Sequence, residues 1–172
     1  MPGYRGWEEE AMDLRRMLSD VHERSHRGFA TLIEHCGRFS PAEFRREREG
    51  FGVPSLQAQF CHVIGAERYW LGVLEGRMDV EDGLADDPGA PEIERSRREV
   101  FDAVEAHLAR TPDEILECAT EFTTWGDVKR TLVPSQVLLR TQMHLFQHQG
   151  QITAMCRQLG APINGIDYPH GP

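Results

Sequence analysis

Between Trp7 and Cys36 the residues Trp7, Ala11, Leu14, Leu18, Val21, Ser25, Phe29, Leu32 and Cys36 recur at steps of three or four. On an α-helix this spacing collects them on one stripe, so the segment predicts a long amphipathic helix. Such a helix, about 45 Å long at 1.5 Å per residue, needs other helices to cover its apolar side.

Three further segments have the same character. From Ser55 to Glu75, Leu56, Phe60, Val63, Trp70 and Leu74 make one stripe, and Ala66, Tyr69 and Val73 make an adjacent one that includes His62. Two stripes predict burial over a wide arc. From Glu92 to Ala109, Ile93, Val100, Val104 and Leu108 face inward, and the charges between Glu92 and Glu99 are expected to face solvent. The last segment starts at Pro134-Ser135 and runs to Leu159, stopping at Gly160 with Pro162 beyond. There Val137, Thr141, His144, His148, Gln151 and Met155 share one face, beside Leu138, Leu145, Ile152 and Cys156. The expectation is an all-α fold with long helices at about 7–36, 55–75, 92–109 and 135–159.

The connections refine this reading. Ser40-Pro41-Ala42-Glu43 carries a cap, a helix-starting proline and a capping-box glutamate, ahead of a short exposed helical turn. Gly76 to Pro91, rich in Asp, Gly and Pro, reads as a crossover loop long enough to join parallel neighbours. Thr111-Pro112-Asp113-Glu114 is another short start. Phe122-Thr123-Thr124 and Val128 to Val133 flank Trp125-Gly126-Asp127 and suggest a small hairpin capping one end of the bundle. Residues 161–172 read as an irregular tail. A single domain over 1–172 is expected, since 40% hydrophobic residues is enough for one continuous core.

Several function classes are disfavoured. No apolar run approaches the roughly 18 to 20 residues needed to span a bilayer, and the beginning MPGYRGWEEE is polar, so a soluble, cytoplasmic protein is expected. The net charge of -9 repels phosphate backbones and anionic lipid, which argues against nucleic-acid and membrane partners. Cys36, Cys61, Cys118 and Cys156 form no C-x-x-C pair and read as reduced, mostly core residues.

The chemistry concentrates on histidines. His144 and His148, four apart, differ by about 40° in direction on a helix and can converge on one ion. Two ligands hold a metal weakly, and His62, next to the small Ala66 on the wide arc of the segment Ser55 to Glu75, is the best third. Cys61 points about 100° away from His62 and reads as packing. Glu67, Gln147 and Gln151 are weaker candidates for orienting an imidazole or touching substrate. His22-Glu23-Arg24-Ser25-His26 matches the H-E-x-x-H pattern of zinc proteases, but it lies mid-helix among arginines without an evident companion ligand. Paired Glu and Glu-x-x-His, the di-iron pattern, is absent.

The segments Leu56 to Leu74 (LQAQFCHVIGAERYWLGVL) and His144 to Gly160 (HLFQHQGQITAMCRQLG), the second followed by Ala161-Pro162 and Asp167, resemble the DinB/YfiT-like family of metal-dependent enzymes. The resemblance spans nearly the whole chain. It implies an up-down-down-up four-helix bundle, with Gly76 to Pro91 as the crossover, and one divalent ion bound by His62, His144 and His148. Gln149 departs from the family pattern, in which the residue before Gly150 is often basic.

Three neutral imidazoles leave coordination positions open, as catalytic sites do, and a bound cation eases deprotonation of a water or thiol. Zinc and nickel are the expected metals, with ferrous iron also compatible with the ligand set. The leading expectation is a thiol S-transferase or hydrolase acting on a small electrophilic substrate. The resemblance suggests bacillithiol, mycothiol or glutathione as the thiol. The other expectation is a non-catalytic metal-binding or stress-response bundle acting as a homodimer. A pocket opening onto the histidines separates the first from the second.

Overall fold

A computed structural model describes residues 13–77, 84 and 86–166. It is mostly helical, with one small two-stranded sheet. Its elements are α1 (Leu14–Cys36), α2 (Pro41–Arg45), α3 (Leu56–Leu74), α4 (Ala90–Arg110), α5 (Asp113–Glu117), β1 (Thr120–Thr124), β2 (Val128–Leu132) and α6 (Pro134–Gln158). Trp7, Ala11, Asp167 and residues 78–83 of the crossover loop lie outside the described residues.

The helix starts follow local chemistry. Asp13 has extended backbone and its carboxylate accepts the Arg16 N–H at 2.7 Å, so α1 begins at Leu14. Ser40 and Ser55 cap α2 and α3 in the same way. Glu92 accepts the Gly89 N–H at 3.0 Å and starts α4 two residues earlier than its periodicity suggested. At the end of α6, Gly160 takes φ +71°, which a residue with a Cβ rarely adopts.

Each long helix packs against two others: α1 against α4 and α6, and α3 against the same pair. Arg15, near the start of α1, donates to the carbonyls of Leu108 and Thr111 at the end of α4. Gly37, just past α1, lies close to Ala90 at the start of α4. Along α1 and α6, Ser25 meets Gln142, and Cys36 Sγ lies 3.6 Å from Cys156 Sγ. Gln59 of α3 bonds Gln151 of α6, and Arg68 of α3 bonds Ser96 of α4.

The apolar core has two parts. One contains Phe29, Leu32, Phe60, Ile64, Ile93, Leu145 and Ile152; the other contains Leu18, Leu71, Val104, Leu108, Leu116 and Leu138. On all four helices a polar residue falls between them: His22 and His26, Glu67, Arg97 and Gln142. The inward turn of Arg97 corrects the expectation that the charges from Glu92 to Glu99 all face solvent. It is buried, and Glu94 pairs with its guanidinium at 2.7 Å.

The hairpin forms where β-branched and aromatic residues suggested it. Phe122 pairs with Arg130 and Thr124 with Val128 across a 3-10 turn, Trp125–Asp127, in which Gly126 and Asp127 take positive φ. The hairpin docks on α3 because Tyr69 Oη accepts the Trp125 backbone N–H at 2.8 Å. That contact sets the hairpin beside the face of α3 that carries His62. No helix among the described residues is long and apolar enough to cross a membrane.

Candidate metal centre

His144 and His148 lie one turn apart on α6, and α3 packs against this helix so that His62 meets both. His144 Nε2 is 3.2 Å from His62 Nε2 and 3.0 Å from His148 Nε2. The three ring centroids are 4.5 to 5.0 Å apart. The site is graded in depth: His148 is buried, His144 half-buried and His62 exposed. The exposure of His62 corrects its expected place on a buried arc. His62, Ala66 and Tyr69 form the wall of an open groove, because the hairpin stands beside that stripe instead of covering it.

Gln59, which sequence reasoning missed, orients His148, the deepest of the three histidines. Its amide nitrogen donates to Val53 O at 2.6 Å and to Gln151 Oε1 at 3.0 Å, leaving its oxygen to face His148 Nδ1. The hydrogen-bond pattern therefore assigns the proton to Nδ1 and the lone pair to Nε2. Gln59 lies three residues before His62, and its side chain is fully buried. A buried polar residue one helical turn from a ligand candidate was the only signal available. Burial, then the neighbouring His144 and His62, pushes His148 down to about 4, and burial likewise lowers His144. Neutral rings whose lone pairs converge suit a cation, so the donor set fits a divalent metal.

Replacing Gln59 by Leu should keep the fold and weaken zinc binding by about 10- to 100-fold, the usual effect of losing a ligand's hydrogen-bond partner. Competition with a chromogenic chelator measures this. An unchanged affinity would mean that Gln59 does not orient His148.

Gln151 acts at one remove, by accepting from Gln59. Gln147 is exposed. Gln149 is buried and donates to Ile166 O at 2.9 Å, where it holds the segment after α6. Cys61 is half-buried against the core and also lines the groove beside His62.

Glu67 belongs to a second group. His26 Nε2–H donates to Glu67 Oε2 at 2.8 Å, and Gln142 donates to Oε1 at 2.8 Å. His22 Nε2 lies 3.3 Å from Oε1 without a hydrogen bond, while its Nδ1–H donates to Glu105 at 2.6 Å. The two histidines of the H-E-x-x-H pattern thus do have a companion, Glu67 of α3, which sequence reasoning did not supply. Glu23 itself is exposed and pairs with Arg27, away from any place as a general base.

Both groups bring together side chains able to hold a metal ion. The second, however, already balances its charges. Arg97 donates to His26 Nδ1 at 3.3 Å, which directs the His26 proton to Nε2 and onto Glu67. Burial opposes the charge on His22, but the hydrogen bond to Glu105 and the negative charges of Glu67 and Glu105 outweigh it and raise His22 to about 9. Burial also opposes the Glu67 charge, and the hydrogen bond from His26 together with the nearby His22 charge overrides it and holds the carboxyl low.

The pH dependence follows from these directions. His22 favours its proton in the fold, so its stabilisation is complete below pH 6.5 and is lost as pH rises through about 9. Glu67 contributes above its ordinary 4.5 and loses its contribution as pH falls. Urea unfolding should therefore show a stability plateau between about pH 5 and 6.5 and a loss on the order of 3 kcal/mol between pH 6.5 and 10 that Glu105→Gln reduces. A flat profile over that range would remove His22 as the buried cation.

The helical fold and its converging histidines define a protein with the means to bind a metal. The sequence profile of the DinB family matches residues 21–172. The chain belongs to the DinB family. No curated protein matches the chain.

Proposed function

We propose that α1, α3, α4 and α6 form an up-down-down-up four-helix bundle in a single domain, and that His62, His144 and His148 hold one divalent ion, zinc or nickel, at its open side. The end contacts support the topology: Arg15 with Leu108 sets α1 against α4 head to tail, and Cys36 with Cys156 sets α1 and α6 in one direction. The protein is then a metal-dependent enzyme, a thiol S-transferase or hydrolase acting on a small electrophile.

The observation that carries this reading is the convergence of the three Nε2 atoms beside a groove. A cavity of about 550 Å³ is lined by Cys61, His62, Gly65, Ala66, Tyr69, Trp70 and Trp125, a size and lining suited to a small molecule. When bound, the cation supplies Lewis acidity to a water or thiol at the positions the imidazoles leave open. Gln59 holds His148 with its lone pair forward. Gly65 and Ala66 leave room in the groove, and Tyr69 and Trp70 give a substrate an apolar wall.

Protein loaded with zinc or nickel should either transfer glutathione or bacillithiol to an electrophile such as an epoxide or aryl halide, or hydrolyse an activated ester without thiol. Thiol dependence separates the two reactions, and chelation should stop either. Absence of both reactions across thiols and metals would favour the other reading, a metal-binding bundle acting as a homodimer. Leu139 and Met143, exposed one turn apart on α6, favour that reading to the extent that they seat a second copy; sedimentation measures it.

A further inference from the structure

The groove continues past His62 into a second cavity of about 640 Å³ between α3, the hairpin and the start of α6. The two cavities share Tyr69, Trp70 and Trp125. Trp125 is 81% exposed although its backbone is tied to Tyr69, so a large aromatic face stands open at a fixed place. Such a face in a cavity is a stacking surface for a planar or apolar body.

The charge of the second cavity differs from that of the chain. The protein carries a net charge of -9, yet Arg130 and Arg140 line this cavity and no Asp or Glu does. Arg68, Arg97 and Arg110 all pair with carboxylates, whereas Arg130 and Arg140 have no carboxylate partner among the described residues. Arg140 instead lies over the Trp70 ring, 4.9 Å from its centroid. That contact holds the guanidinium without neutralising it and leaves its donors for an anion.

Arg140 also precedes His144 by four residues on α6, one helical turn or about 6 Å along the axis. An anionic group on Arg140 therefore places the rest of a small molecule against Trp125 and toward the Nε2 cluster. We infer that the groove takes a small molecule with an apolar or aromatic body and one anionic group of the carboxylate or sulfonate class, bound by Arg140 and Arg130. The inference rests on the enzyme reading for its role in catalysis, but the anion site stands on its own residues. In an acidic protein, this local positive field would also draw such molecules to the groove.

The test uses two probes of one shape. 8-Anilinonaphthalene-1-sulfonate carries an anionic group, and N-phenyl-1-naphthylamine is its neutral counterpart; both report binding by fluorescence. The wild-type chain should bind the sulfonate at one saturable site, about tenfold or more tighter than the neutral probe, as a charge-assisted pair implies. Arg140→Ala with Arg130→Ala should abolish the difference while helicity and metal content stay unchanged, and added salt should weaken only the sulfonate. Equal binding of the two probes, no binding of the sulfonate, or discrimination that survives both substitutions would overturn the inference. Metal content measured on the same samples keeps the readings apart. A wild-type chain without metal that still discriminates would sink the metal reading and leave the anion site in place.

Discussion

Protein purified without a histidine tag should carry about one divalent ion per chain, and His148→Ala should carry less than about a tenth of that, because metal affinity depends on a preformed ligand set. Of the three proposed ligands, His148 should matter most. It is buried, its Nδ1 is held by Gln59, and burial keeps it neutral, so its lone pair is ready at neutral pH. His62 is exposed, so water can replace it more readily and His62→Ala should lose less affinity. Elemental analysis of the three proteins decides the matter. Metal retained in His148→Ala would move attention to His22, His26 and Glu67, the other group able to hold an ion. No metal in wild type after reconstitution would leave the histidines as polar packing.

The largest effect on stability is expected at Glu67. Its carboxylate is 3% exposed and receives His26 and Gln142, with His22 beside it. Glu67→Gln removes the negative charge and leaves His22 and Arg97 as buried cations with less compensation. Losing one member of a buried ion network costs about 3–5 kcal/mol. For a chain of this size that is a fall in Tm of roughly 10–15 °C. The double variant Glu67→Leu with His26→Leu should recover much of the loss, because well-packed apolar groups often replace a buried ion pair at little cost. A Glu67→Gln variant that melts like wild type would show that the polar layer contributes no net stability.

The two predictions separate the two histidine groups. His148→Ala should change metal content at a smaller cost to the metal-free protein, about 1–3 kcal/mol, since the Gln59 oxygen loses its partner while its nitrogen stays bonded to Val53 and Gln151. Glu67→Gln should do the reverse. A variant that moved both quantities together would mean that the groups are coupled through Gln142, which bonds Glu67 and lies two residues before His144.

Much of the fold was legible because helix periodicity is a local signal. The stripes through Leu18 and Phe29, Phe60 and Val63, Val100 and Val104, and Leu145 and Ile152 are all buried where spacing put them. The hairpin was legible from Trp125-Gly126-Asp127 for the same reason, since the positive φ at Gly126 is a local requirement. The Asp13 cap was not, because apolar spacing runs on through it and carries no mark of a cap.

By itself the sequence determined the long helices, their apolar faces, and the pairing of His144 with His148, all of which depend on residues within a few turns of one another. Only the tertiary structure decided what crosses between helices. It brought Glu67 to the two histidines of α1, turned Arg97 inward, set Gln59 behind His148 and left His62 facing a groove with Arg140. These depend on the relative rotation and stagger of packed helices, to which local spacing is blind: a rotation of about 100° per residue separates a core position from a groove wall.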